Sequence, residues 1–531
     1  MVTIDSLSFL IENGMSLDDI QDKLRRGITL EEMAAAVKSI SERNIQEPAE
    51  ATDIDGYLKK IKPEKTYAWN DMGMARLFSD CFIDDVRYNV TAKEWFFYDG
   101  RIWRHDLGGM IAAGKAKKLA DSLLLYAVKI PDEKTKTDYV RFVSKYGSFH
   151  NRKTLVNDAM SENPISQADL DSNKDFFNCQ NGVFDFSSFS LLPHKPGYLL
   201  SKISNVWYDP EAKSEAFSKF VAEIMENDTE KILFLQKKAG IALTTDTSQE
   251  KMLILYGATT RNGKSTFLET LSYMMGGDAG YSLTMPPETI AQRKNRDTRQ
   301  ASGDIARLDG CRLLVASEPP KRMLFDAALL KTLLGRDTIT ARNLYEREFQ
   351  FIPVFKMFMN TNFLPMIQDD TLFSSGRIEV LPFNRHFSPE EQDTGLKDRL
   401  REKANISALF NWCLDGLRLY KETGINPPES VLSATKAYRE SSDKTANFIA
   451  DCLEHTGKNT GAGTVYRSYQ TWCNENGFGT ESKRNFFEEL KAKGIYAERG
   501  MVNGVQVRNI VVGYQLIYDD PPPPDIPPEW Q

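Results

Sequence analysis

The 531-residue chain is short of three things: long apolar runs, paired cysteines and positive charge. Its first twenty residues include Asp5, Glu12, Asp18 and Asp19 and no unbroken hydrophobic stretch. Neither a secretory signal nor a membrane span is therefore expected, and a cytoplasmic location is. The six cysteines, Cys81, Cys179, Cys311, Cys413, Cys452 and Cys473, lie far apart and form no C-x-x-C pair. That spacing excludes a zinc ribbon or disulfide framework and predicts free thiols in a reducing compartment. The five histidines are just as scattered. With a net charge of −7, contact with nucleic acid has to come from a local basic surface, such as a channel lined by a few Arg and Lys.

What remains is the composition of an ordinary folded protein, 41% hydrophobic and 27% charged. At roughly 150 residues per domain, the length predicts about three or four domains. Residues 1–48 read as a small helical unit, because Leu17, Ile20, Leu24, Leu30, Met33, Ala34 and Val37 recur at helical steps. A polar linker covers 49–66, and an aromatic-rich mixed α+β region covers 67–205. Within the latter, Trp95, Tyr98, Trp103, Asn178, Asn181 and His194 read as core aromatics and turn residues. From 206 to 393 apolar runs alternate with helical patterns, the mark of an α/β sheet domain. A helical segment fills 394–442. Residues 443–517 read as three helices followed by a two-stranded wing, Ile495–Arg499 and Val505–Val512, and 518–531 form a proline-rich exposed tail.

The residues that carry chemistry sit in the α/β region. A buried-strand pattern, Met252–Tyr256, runs into Gly257, Ala258, Thr259, Thr260, Arg261, Asn262, Gly263, Lys264, Ser265 and Thr266, and then into a helix. Strand, loop and helix is the setting of a phosphate-binding loop, whose inward N–H groups and helix N-terminus hold a polyphosphate. Lys264 is expected to neutralise phosphate charge and Ser265 to ligate Mg²⁺ in an ATP complex. The spacing departs slightly from the usual pattern, since Gly257 comes one residue early and Ala258 takes the first-glycine position. A second strand ends at Ser317-Glu318; Glu318, 54 residues after Lys264, is placed to polarise the attacking water and to reach the metal, directly or through a water. A third strand ends at Asn360-Thr361-Asn362, where an amide either touches the γ-phosphate or merely terminates the strand. Arg377 precedes a further strand and is a candidate to stabilise charge on the transferring phosphoryl group, across a subunit boundary included.

In order and spacing these motifs resemble the superfamily 3 helicases of the phage, plasmid and poxvirus primase-helicase group. The likeness runs from about Trp69 to Leu516 and is most specific from Gly257 to Phe383. It implies a P-loop AAA+ motor, preceded by a mixed α+β helicase-associated domain and followed by a winged helix, that assembles as a hexamer on single-stranded and forked DNA. By the same likeness Lys264 and Ser265 match the first nucleotide motif, Glu318 the second, and Asn362 the sensor. Arg342, Tyr345 and Arg347 match a DNA-contacting hairpin preceded by Lys331, while Lys483 and Arg484 are candidate phosphate contacts in the winged helix. Without the likeness the hairpin charges read as simply solvated. Two departures stand out: Ser317 replaces a second acid, and Gly376-Arg377 replaces two adjacent arginines. Too few residues precede the likeness for a primase domain, so no primer synthesis is expected of this chain, and a separate primase or other replication proteins are candidate partners. Two rival readings stay open, an ATP-switched replication initiator or loader without processive unwinding and a small-molecule kinase.

Overall fold

The computed structural model describes residues 66–292, 303–321, 323–342, 348–476, 478–502 and 505–517. The helical unit at 1–48, the linker, the proline-rich tail, Tyr345 and Arg347 lie outside the described residues. The chain divides into two compact units.

The first unit comprises the described residues up to Ser172 together with Lys195–Ser201. It contains α1 (Asp71–Cys81), an antiparallel sheet of β1 (Val86–Asn89), β2 (Glu94–Tyr98) and β3 (Trp103–Asp106), and then α2 (Met110–Tyr126), α3 (Glu133–Val143) and α4 (Phe149–Ala159). Three of these helices begin at side-chain caps: Asn70, Asp132 and Ser148 each accept from the backbone N–H three residues on. Their apolar faces close over Phe78, Trp95, Leu119, Tyr146 and Leu155.

The second unit starts with an antiparallel sheet of β4 (Phe176–Cys179), β5 (Gly182–Asp185) and β6 (Ser190–Leu192). The stretch 67–205, one region in the sequence, thus contributes to both units. The reason is aromatic: Phe177 stacks on Tyr281 at 4.6 Å and on Phe410 at 5.3 Å, both in the second unit. After α5 (Glu215–Ile224) and α6 (Thr229–Ala242) comes a five-stranded sheet. Its strands are β7 (Met252–Tyr256), β8 (Ser282–Met285), β9 (Leu313–Ser317), β12 (Lys356–Thr361) and β13 (Ile378–Pro382), with α7 (Lys264–Met274) following β7 and α8 (Ala327–Leu334) following β9. All pairings are parallel, in the order β13-β7-β12-β9-β8.

Alternation explains why the sheet lies between two layers. Leu253, Leu255, Val315 and Phe358 face a core shared with α5, α6, α7 and α9 (Lys403–Thr423), whereas Met252, Ile254, Leu314 and Met359 face one shared with α8 and Tyr438 of α10 (Glu429–Ser442). An α/β fold with a parallel sheet agrees with the sequence. The short strands β10 (Ile339–Ala341) and β11 (Phe349–Phe351) pair antiparallel on either side of the segment expected to form a hairpin.

The C-terminal part carries α11 (Lys444–Cys452), β14 (Leu453–His455), β15 (Thr460–Gly461), α12 (Ala462–Asn476), α13 (Lys483–Ala492), β16 (Ala497–Val502), β17 (Val505–Val511) and β18 (Tyr514–Leu516). Tyr469, Trp472 and Phe486 are core residues there. The antiparallel hairpin β16–β17 begins two residues later than the sequence pattern suggests, because Ile495 is drawn into the core instead of pairing, and β15 adds a third strand. Among the described residues no helix is long and apolar enough to cross a membrane, and all six cysteines are free.

Candidate functional site

The strand ends Tyr256, Ser317 and Thr361 lie side by side at the carboxyl edge of the sheet, where open α/β folds bind ligands. The loop after β7 turns there under two steric constraints. A Cβ on Gly257 would come within 2.2 Å of Asn262 Nδ2 and 2.6 Å of the Phe383 carbonyl. Gly263 has a φ of +81°, and a Cβ would stand 2.3 Å from Ile224 Cγ2. The early glycine of the sequence pattern is therefore the one this turn needs, and Ala258 sits exposed on the crest with Thr259, Thr260 and Arg261. Asn262 is buried and braces the crest, its Nδ2 donating to the Thr259 carbonyl at 2.7 Å. From the other side His386 Nδ1 donates to the Thr260 carbonyl, and the Phe387 N–H to that of Arg261, both at 2.9 Å. Gly263 supplies no side-chain cap to α7, so Lys264, Ser265 and Thr266 begin a helix whose first N–H groups lack that partner.

Lys264 is 4% exposed. Its Nζ donates to Asn262 Oδ1 and Asn362 Oδ1, each at 2.8 Å, and to the Gly257 carbonyl at 3.4 Å. All three acceptors are neutral. Burial pushes the ammonium down to about 8, against a smaller opposing pull from the nearby Glu318 carboxylate. Glu318 itself is exposed, at a left-handed φ of +51°, with its N–H on the Asn360 carbonyl at 3.1 Å. Such a conformation is strained for a residue with a Cβ, and it turns Glu318 off the strand at the cleft. A cleft of about 410 Å³ is lined by Ser265, Ser317, Glu318 and Asn360 on one side and by Glu269, Tyr273 and Arg401 on another.

Lys264, Ser265, Glu318 and Asn362 thus converge. The remaining sequence candidates do not join them. Arg377 bonds Glu250 at 2.9 Å and the Lys331 carbonyl at 3.3 Å. Lys331 pairs with Asp369 at 2.6 Å. Arg342 is half-buried at the end of β10, Lys483 is exposed, and Arg484 pairs with Glu488 one turn along α13. Asn360 and Arg401 are among the wall residues that the sequence does not single out. Asn360 shares its strand end with Asn362, to which the family likeness points instead; Arg401, in a polar stretch far from every motif, carries no signal at all.

Two family models match the chain: one described as D5 N terminal like, over residues 75–226, and a family of unknown function, over residues 255–377. Among curated proteins, "Putative helicase L207/L206" of Acanthamoeba polyphaga mimivirus is 26% identical over 357 residues, which is 61% of this chain and 36% of that protein. "Putative helicase 022R" of Frog virus 3 is 26% identical over 278 residues, 48% of this chain and 28% of that one. These matches agree with the resemblance to the superfamily 3 primase-helicase group that the sequence motifs carry. The chain spans about a third of the length of the curated relatives it matches. A solved structure, the apo form of the NrS-1 C terminal region, aligns over 83% of this chain and 99% of its own with a TM-score of 0.47 and 11% identity.

Proposed function

We propose that this chain is the ATP-hydrolysing motor of a DNA helicase that works as a hexameric ring on single-stranded DNA. The observation carrying the reading is the seat of Lys264: a buried ammonium on neutral oxygens, one helical position from Ser265 and within electrostatic reach of Glu318. In this reading the loop 258–263 and the N-terminus of α7 take the β- and γ-phosphates. Lys264 then exchanges amide oxygens for phosphate oxygens, a stronger pairing because the new acceptor is charged. The cleft wall offers the Ser265 hydroxyl and the Glu318 carboxylate, hard oxygen donors of the kind that Mg²⁺ takes. Bound there, the ion neutralises charge on the transferring phosphoryl group. Glu318 orients the attacking water and accepts its proton, and Asn362, freed from Lys264, contacts the γ-phosphate.

The β-sheet motor is then of AAA+ type, with the three helices and hairpin at 444–516 acting as a winged helix. DNA contact falls to Lys331, Arg342, Tyr345, Arg347, Lys483 and Arg484. Arg377 is proposed to reach the ATP of a neighbouring subunit. The pairs that hold Arg377 and Lys331 are partly exposed, and pairs of this kind contribute about 0–1 kcal/mol, so exchanging them for phosphate costs little.

The test is hydrolysis by the full chain with and without single-stranded DNA, alongside unwinding of 3′- and 5′-tailed forks. DNA-stimulated hydrolysis with strand separation is expected. Stimulated hydrolysis without separation favours the loader reading, and failure to bind ATP at millimolar concentration with Mg²⁺ removes both.

A further inference from the structure

Asn360 has a job that the motor reading does not give it. Its side chain is 3% exposed and lies on the same face of β12 as Phe358, toward α7. There Nδ2 donates to Ser265 Oγ at 3.0 Å. The other end of the amide, Oδ1, is sealed from solvent and has no hydrogen-bond partner, although the residue lines the cleft with Ser265 and Glu318. Leaving a buried acceptor unmade costs about 1–3 kcal/mol, and such groups persist where another state of the protein satisfies them.

The sheet register shows what that state is. Asn360 pairs directly with Ser317 on β9, so the two side chains stand beside each other on the α7 face. Ser317 occupies the place where a second acid is expected, and it brings a neutral hydroxyl instead. An ion held by Ser265 therefore lacks a carboxylate at 317 to receive hydrogen bonds from its waters. Asn360 Oδ1 is an acceptor on the adjoining strand, one hydrogen bond from Ser265. We propose that Asn360 is a positioning residue for Mg²⁺, fixing the Ser265 hydroxyl with Nδ2 and accepting from a metal-bound water with Oδ1. This rests on the reading that Ser265 ligates the Mg²⁺ of bound ATP. Outer partners of this kind typically change metal affinity by about 10–100-fold.

The test is fluorescent-ATP binding to the full chain, first in EDTA and then across a Mg²⁺ titration, for wild type, Asn360→Leu and Asn360→Asp. Leucine is of similar size and removes the orphaned oxygen, so the variant is expected to fold and to bind metal-free nucleotide within about two-fold of wild type. Its Mg²⁺ midpoint should rise about ten-fold or more. Aspartate cannot donate to Ser265 but restores the acceptor, and should return the midpoint to the wild-type value or below. An unchanged midpoint in Asn360→Leu, or no recovery in Asn360→Asp, overturns the proposal. Absence of nucleotide binding by the wild type at every Mg²⁺ concentration overturns the reading beneath it instead.

Discussion

The two ends of the parallel sheet both bury positive charge, in opposite ways. At the carboxyl edge Lys264 rests on side-chain amides beside an open cleft. At the amino edge Arg312, just before β9, donates to the Leu243 carbonyl at 2.7 Å and the Phe176 carbonyl at 2.5 Å, with its guanidinium 4.7 Å from the Tyr281 ring centre. Lys356, the first residue of β12, donates to the Thr244 and Val354 carbonyls. Leu243 and Thr244 follow the last turn of α6, so these cations sit at the negative end of a helix and satisfy carbonyls that have no helical partner. Burial drives Lys356 well below the usual lysine range, and the Arg312 charge adds to this. A buried cation is therefore no sign of function by itself. What separates the two ends is whether the partners can be exchanged: amide side chains beside the cleft can turn away for phosphate, whereas main-chain carbonyls fixed where the chain leaves a helix or meets a strand cannot.

The sharpest way to break the comparison is to remove each cation. Lys264→Met should cut ATP turnover by about 10²–10³-fold or more, and should lower stability by about 1–3 kcal/mol because two of its acceptors, Asn262 and the Gly257 carbonyl, belong to buried residues. Wild-type turnover in this variant would erase the distinction between the ends. Lys356→Met should leave the chemistry alone. It strips a donor from the half-buried Thr244 and Val354 carbonyls, so stability should fall by about 0.5–1.5 kcal/mol, with turnover per folded molecule within about two-fold of wild type. Chemical denaturation and ATPase assays on the same preparation read both numbers.

The smallest effect is a pH dependence. Free Lys264 titrates at about 8, below its ordinary 10.5, so the unfolded chain binds more protons between those values. The lysine's stabilising share is thus complete above about 10.5 and lost as pH falls through about 8, giving stability that rises with pH in that window. Phosphate favours the ammonium, so ATP binding should take up a proton above pH 8 and weaken as pH rises to 9, by less than ten-fold. Affinity that stays flat from pH 7 to 9, or proton uptake that survives in Lys264→Met, would assign the titration to another group.

Much of the site is legible in the order of residues alone. The run from Met252 to Leu271 announces strand, turn and helix in consecutive residues, and Glu318 and Asn362 follow strands that their apolar runs mark clearly. Asn360 is harder because the same strand end offers two amides, and only the pairing of β12 with β9 and the packing of α7 show that one reaches Lys264 and the other Ser265. The Glu250 and Asp369 partners of Arg377 and Lys331 lie 127 and 38 residues away along the chain, and no local pattern links them.

By itself the sequence determined the order of the elements, the turn that seats Lys264 and the alternation that buries the sheet, since these depend on neighbours within a few residues. Tertiary structure alone decided that residues 173–194 pack with the second unit, which amide holds Ser265, and which buried lysine can change partners. Those outcomes come from strand register and aromatic stacking between distant segments, whose free energies exist only once the segments have met.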